Sequence, residues 1–386
     1  MITLNNPDRN ETYHIRLVPM DEAMKLHHAG VKMYDYSGLT AINTCPTMGI
    51  LKYGLHKTDV PMTMAGRNLA TEAGTACHDF FAAVRYWTLL QRVDFWKGAD
   101  TVISTLEDQS TMYNYGIKLF GKDRLLSMLA VPQDSDRINN CQLFALDALH
   151  TAGYYDDPSD RKRTLANMEV TCLAYLDRYM QSEPKVAVVG DLIGIEIPFV
   201  LEVKKIAPWE DHPIHDTYEQ TYYYCGRIDG ISEHDGNYRV EENKTASSLN
   251  QAWKTSFALS HQVTGYTIAG TCLLNQEVTD ALVMGAQIPV PRDVFNGVAF
   301  EPQTRTESDR IRWCEWFFRT IGTYEEFIAD VTLAPRFTHS CNRFFSSCEF
   351  IPFCSLERSE QRLELDNMRE SRWSPLEHLV EGESDE

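Results

Sequence analysis

Apolar residues recur at spacings of three and four through Leu69, Ala73, Ala76, Phe80, Val84 and Trp87, which predicts an amphipathic helix. At 100° per residue, His78 falls about 180° from Leu69. It sits between the small residues Gly74 and Ala82 and can face a second surface such as a cleft. From Val186 the pattern changes to β-branched and alternating runs: 186–203, then TYYYCGRIDGI (221–231), then NYRVEENKTA (237–246). These predict three strands of one sheet. The turn His234-Asp235-Gly236-Asn237 carries an Asp-Gly hairpin signal, so the second and third strands are expected to pair antiparallel. Residues 256–274 predict a helix, 280–289 a further strand and 307–330 a helix rich in Trp and Phe. Residues 37–56 predict a short helix or turn behind a Ser37 cap, with Cys45 near its middle and Pro46 punctuating it.

These elements order the chain into an N-terminal arm (1–36), a helical segment with Cys45 and His78 (37–99), a helical insertion (100–185), an α/β core (186–300), a helix with a cysteine run (301–356) and a polar acidic tail (357–386) whose last residues are expected to be disordered. The expected fold class is α/β, a mixed central sheet flanked by helices. The 386 residues are 43% hydrophobic and 24% charged, which excludes wholesale disorder and fibrous architectures. The most apolar stretch, Val186 to Val203, is interrupted by Asp191, Glu196 and Glu202, so no membrane helix is expected. The polar N-terminus points to a cytoplasmic protein. A net charge of -19 excludes a histone-like coat on DNA. It leaves open an enzyme on nucleic acid, because metal ions and a local basic lining can overcome the field at one cleft.

Ten cysteines without an export signal point to reduced thiols. Cys77, Cys141, Cys172, Cys225, Cys272 and Cys314 stand singly in apolar surroundings, as small buried hydrophobes do. Cys341, Cys348 and Cys354 crowd into SCNRFFSSCEFIPFC, a run too short to wrap a tetrahedral site unaided, and Cys45 is the natural fourth ligand.

Asp229 near the end of one strand and Glu242-Asn243-Lys244 on its neighbour form the chemical centre of the sequence. Residues two apart on a strand share a face, so Glu242 and Lys244 project together and the hairpin can bring Asp229 alongside. Two carboxylates suit Mg²⁺ or Mn²⁺, and a cation there can activate water against a phosphodiester while Lys244 answers developing charge. A plain surface Glu-Lys pair with Asp229 in a turn has the same pattern. Asp191 with Glu202-Val203-Lys204 nearly repeats it. The later set is favoured by the small residues around Arg227 and Asp229 and by Gln262 and Tyr266, which share a helix face.

In order, TACHDF, IEIPF, GRIDGI, VEENKT and QVTGY, bracketed by Cys45-Pro46 and the terminal cysteines, resemble the PD-(D/E)XK nuclease superfamily. The likeness is to its RecB-type exonuclease branch with an iron-sulfur cluster, as in AddB and the CRISPR adaptation nucleases. It runs from about Ser37 to Cys354 and is sparse over 100–185. The resemblance implies a restriction-endonuclease-like core, with His78, Asp229 and Glu242 as metal ligands, Lys244 as catalytic lysine and Glu196 as the acidic residue upstream. It implies Gln262, Tyr266 and Arg227 as substrate contacts, and Cys45, Cys341, Cys348 and Cys354 as ligands of a [4Fe-4S] cluster or, alternatively, of structural Zn²⁺. The implied activity is metal-dependent exonuclease cleavage of single-stranded or frayed DNA ends in repair or recombination, beside a protein partner of that process. A catalytically silent DNA-binding or partner-binding module on the same fold is the rival. Many relatives have Asp-x-Lys where this chain has Glu242-Asn243-Lys244, and the cysteine spacing is wider than the Cys-x-x-Cys version.

Gly116-Ile-Lys-Leu-Phe-Gly121-Lys122-Asp123 imitates a phosphate loop, but Asp123 stands where Ser or Thr would hold Mg²⁺, which rejects an ATPase reading. The pair His27-His28 lacks ligand spacing.

Overall fold

The computed structural model describes residues 1–58, 68–92, 104–130, 137–182, 185–208, 217–234, 236–288, 294–343, 346–371 and 374–376. Its principal strands are β1 (Ile2–Asn6), β2 (Glu11–Leu17), β3 (Met33–Asp35), β4 (Lys185–Val186), β5 (Ile195–Pro208), β6 (Thr217–His234), β7 (Asn237–Ala246), β8 (Asp280–Gln287) and β9 (Val298–Thr304). The helices are α1 (Met20–His28), α2 (Tyr36–Thr44), α3 (Leu69–Arg92), α4 (Ser104–Phe120), α5 (Lys122–Leu129), α6 (Arg137–His150), α7 (Leu165–Gln181), α8 (His261–Leu274), α9 (Glu307–Phe327) and α10 (Arg358–Asn367), with shorter turns between. The strands form one mixed sheet in the order β1-β2-β5-β6-β7-β8-β9, with β3 and β4 also paired to β6. The α/β class and mixed sheet flanked by helices therefore agree with the sequence pattern. No described helix is long and apolar enough to cross a membrane.

Two compact units divide the chain, one gathered from Met1–Gly66, Phe199–Gly226 and Glu307–Leu379, the other from Arg67–Pro198 and Arg227–Thr306. In the first, β1 pairs β2 and β2 pairs β5, both antiparallel, while β3 runs parallel to β6. Its apolar centre joins Val18, Ala23, Met33, Val200, Cys225 and Leu376. An aromatic layer lies beside it, with the Trp313 and Phe317 rings stacked at 5.2 Å. The cap of α2 is Asp35, which accepts from the Gly38 N–H, rather than Ser37. Both residue types cap well, and Asp35 alone has the extended backbone that the position before a first turn requires. Part of the segment read as a tail is helical: α10 opens on a capping box between Glu357 and Glu360.

In the second unit β6 and β7 pair antiparallel, as the turn signal implies, with Glu241 opposite Gly230. Asp235 of that turn lies outside the described residues. β7 then runs parallel to β8, and β8 antiparallel to β9. The 186–203 run is not one strand, because a small hairpin of Val188–Val189 with Leu192–Ile193 precedes β5. Helix α8 starts at His261 instead of 256, where the Ser260 hydroxyl accepts from the Val263 N–H and fixes the first turn. The long α3 has almost no polar face over residues 80–90, and it packs Phe80, Phe81, Val84 and Trp87 against Phe144 of α6 and Tyr175 of α7. Residues 104–181 thus supply helices α4 to α7, and α3 and α7 are held against the sheet.

Candidate functional site

The second unit brings its acids together beside α3. His78 lies on the helix face away from Leu69, and its Nδ1 is 3.7 Å from Asp229 Oδ1. The paired register ends with Glu241 opposite Gly230, one residue from Glu242 and Asp229, which interact electrostatically. Asp229 Oδ2 accepts the Asn243 N–H at 2.6 Å, which fixes that carboxylate's orientation and leaves its other oxygen toward His78. Glu196 enters from the start of β5 with φ 46°, a left-handed conformation that costs a non-glycine residue about 1–3 kcal/mol. That strain turns its carboxylate toward the same point. One ligand atom each from His78, Glu196 and Asp229 lies within 4.8 Å of the others, and among the described residues no other group of three His, Cys, Asp or Glu does so.

Glu242 is buried and ion-paired to Lys244 Nζ, whose side chain is one-third exposed. It therefore stands close to Asp229 outside the tight trio, whose third member is Glu196. Two buried carboxylate oxygens of the site, Glu196 Oε1 and Glu242 Oε2, have no hydrogen-bond partner among the described residues. Burial, reinforced by the charge of Asp229, pushes both carboxyls up to about 8. Burial lowers the His78 imidazole. A site of this kind gathers more acceptor capacity than the protein itself satisfies.

Arg227 donates from Nε to Glu196 Oε2 at 3.0 Å and remains half exposed. Gln262 and Tyr266 bond each other across one turn of α8, with Nε2 donating to the hydroxyl at 3.1 Å. Of the look-alike set, Glu202 and Lys204 lie in the other unit, apart from Asp191, and are engaged there: Glu202 binds Arg16 through both oxygens, and Lys204 pairs with Glu219. Gly116 is inside α4, not in a phosphate-binding loop.

The sequence reading missed the support behind these residues. Arg85, about two turns along α3 from His78, is 1% exposed and donates to Glu241 Oε2 at 3.1 Å and Asn243 Oδ1 at 3.2 Å. Glu241 also accepts from the Ser232 hydroxyl, and Asn243 from Tyr175. Glu241 and Asn243 alternate with Glu242 and Lys244 along β7, so the network pins the opposite face of the strand. Gly230 makes room for it, since a Cβ there would lie 2.7 Å from Arg85 Nε. The signal was an arginine inside an otherwise apolar helix face, FFAAVRYW.

No family model matches this chain, and no curated protein matches it in sequence. What the site does is to be read from its own chemistry.

In the first unit, Cys45, Cys341, Cys348 and Cys354 line one cavity of about 320 Å³ with Met48, Arg336 and Phe350. Cys45 ends α2, and Gly49 behind it crosses that helix so closely that a Cβ would lie 2.4 Å from the Ile42 nitrogen. The Cys348 N–H donates to the Cys341 carbonyl at 2.7 Å. Burial pushes the Cys354 thiol up to about 11, and the charges of Cys45, Cys348 and Cys341 add to that. Among the described residues no three of these sulfurs lie within 4.8 Å of one another. The remaining cysteines are buried except Cys272, which is half-buried.

Proposed function

We propose that this chain is a Mg²⁺- or Mn²⁺-dependent deoxyribonuclease with a PD-(D/E)XK-type core, acting on single-stranded or frayed DNA ends. The observation that carries the reading is the convergence of His78, Glu196 and Asp229 within 4.8 Å, next to the Glu242–Lys244 pair. The residues fit a hard divalent cation: the donors are carboxylate oxygens and one imidazole, and two buried carboxylate oxygens lack partners among the described residues. His78, Glu196 and Asp229 would hold the ion, with Glu242 beside them. When bound, such an ion supplies Lewis acidity toward a phosphodiester oxygen and lowers the pKa of a water.

The chain's own groups do the remainder. The Asn243 N–H keeps Asp229 from rotating, so its free oxygen stays presented to the site. Lys244, tethered by Glu242, is placed to meet charge that develops on a phosphate. Arg227 is exposed enough to reach a phosphate oxygen while its Glu196 bond sets its direction. Gln262 and Tyr266 are the candidate contacts to a nucleotide. Cys45, Cys341, Cys348 and Cys354, which line one cavity, are proposed to hold a [4Fe-4S] cluster, with structural zinc as the alternative for the same four thiols. A cytoplasmic setting and a partner in repair or recombination belong to the same proposal.

One observation favours a catalytically silent module: Arg227 and Lys244 already neutralise Glu196 and Glu242 without a cation. Purified protein given end-labelled linear and circular single strands with Mg²⁺ or Mn²⁺ separates the two. Cleavage that disappears in Asp229→Ala and Glu242→Ala, with thermal unfolding retained, is the expected result. Intact DNA with the wild-type protein and both metals, or full activity in either variant, overturns the nuclease reading.

A further inference from the structure

The first unit holds a second cavity, of about 390 Å³, lined among others by Lys32, Tyr34, Asp35, Tyr53, His56 and Tyr324. That volume is in the range of small-ligand sites. Its walls are aromatic, with the Tyr34 and Tyr324 rings meeting edge to face at 5.8 Å. Lys32 Nζ donates to the Tyr53 carbonyl at 3.3 Å and lies 4.4 Å from the Tyr324 ring centre and 5.9 Å from that of Tyr34. Among the described residues no carboxylate oxygen comes within 4.0 Å of it. Asp35 also lines the cavity and interacts electrostatically with Lys32, but its Oδ1 is engaged as the cap of α2, accepting the Gly38 N–H. Burial lowers Lys32 to about 8, as expected of an ammonium short of compensating charge.

His56 adds a second, independent observation. It is held at φ 54°, a conformation that costs a non-glycine residue about 1–3 kcal/mol and that concentrates at ligand sites. The Ser371 N–H donates to its carbonyl at 2.6 Å and stabilises the turn. Burial, and then the charge of Lys32, lower its imidazole against the opposing charge of Glu370, so the ring lies within electrostatic reach of Lys32.

We propose that this cavity binds a nucleoside monophosphate group, the phosphate against Lys32 and His56 and the base against Tyr53. An ammonium without a close carboxylate and an imidazole suit a phosphomonoester. Tyr53, the half-buried tyrosine of the lining, is the candidate surface for a base, which stacks irrespective of its sequence identity. A cation would be repelled by Lys32. The group can come from a free nucleotide or from the phosphorylated end of a strand. The proposal is independent of the nuclease reading.

Isothermal titration in EDTA, where no metal-dependent cleavage proceeds, tests it with dAMP, deoxyadenosine and inorganic phosphate. dAMP is expected to bind about tenfold or more tightly than either fragment. Lys32→Met and His56→Asn should each weaken dAMP at least about fivefold. Asparagine tolerates positive φ and keeps the turn, so His56→Asn preserves the test if Lys32→Met does not fold. No binding of dAMP to the wild type at about 5 mM, equal binding of deoxyadenosine, or wild-type affinity in the folded variants overturns the proposal. Competition with short single strands assigns the source. Displacement of dAMP by a 5′-phosphorylated strand and not by its 5′-hydroxyl twin identifies a strand end, and displacement by neither identifies a free nucleotide. Equal displacement by both refutes recognition of the phosphomonoester.

Discussion

Replacing Arg85 by methionine keeps most of the side chain's apolar volume and removes only the guanidinium. In the native protein that group is 1% exposed and bonds Glu241 and Asn243, with its carbon 5.6 Å from the Tyr179 ring centre. Breaking a buried ion pair from one side costs about 3–5 kcal/mol, because the other charge is left behind. Here Glu241 keeps the Ser232 hydroxyl at 2.6 Å and Arg239 at 3.6 Å, and Asn243 keeps the Tyr175 hydroxyl at 2.9 Å. The expected loss is therefore at the low end, about 3 kcal/mol. Native-state hydrogen exchange at the amides of β7 reads the loss locally, where a single unfolding midpoint would average over two units. Glu241→Gln should cost a comparable amount. The double variant should cost less than the sum of the two by about 1–3 kcal/mol, since each partner is harmful mainly when left alone. A single-variant loss below about 1 kcal/mol, or strict additivity, would refute the claim that Arg85 fastens α3 to the strand bearing Glu242 and Lys244.

Lys32 gives a pH signature. Its folded value is lowered to about 8 against 10.5 for the free side chain, so between those values the unfolded chain binds more protons and stability rises with pH. Lys32→Met should thus melt above the wild type at pH 7 and lose that advantage by about pH 10.5; a gap that widened with pH would contradict the assigned burial. Cys45→Ala, Cys341→Ala, Cys348→Ala and Cys354→Ala should each abolish a broad absorption near ~400 nm and iron content, whereas Cys141→Ala and Cys172→Ala should retain both. Stoichiometric zinc without iron in anaerobically prepared protein would sink the iron-sulfur assignment. Gly49→Ala should destabilise the first unit by about 3 kcal/mol or prevent its folding, because the added carbon would meet the Ile42 backbone; ordinary thermal unfolding in that variant would show the contact to be soft.

Several elements were legible because their patterns are local. The alternation in 221–231 and 237–246, with the turn signal between, gave an antiparallel hairpin that pairs Glu241 with Gly230, the neighbours of Glu242 and Asp229. The three- and four-residue spacing from Leu69 to Trp87 gave α3 and the outward position of His78. Long-range choices were not legible. Glu196 reaches the trio through a positive φ, and no residue type other than glycine or asparagine announces that conformation. Ser37 and Asp35 compete as caps two residues apart, and only the backbone decides between them. A lone arginine among apolar residues gives no sign of a partner more than 150 positions away, as Glu241 is from Arg85. The capping box at Glu357 was present in the sequence, but the strongly polar composition of α10 hid it.

The discontinuity of the first unit bears on how the chain emerges from the ribosome. Residues 67–198 and 227–306, the two long segments of the second unit, are made while Glu307–Leu379 are still untranslated. At about 5–20 residues per second, the N-terminal segment waits on the order of 15–60 s for its last partners. During that interval Val18, Ala23 and Met33 lack Leu376, against which they pack in the finished protein. The nascent chain therefore offers chaperones a defined apolar target. Synonymous codon changes that slow translation before residue 307 should lower the soluble yield without altering a single side chain.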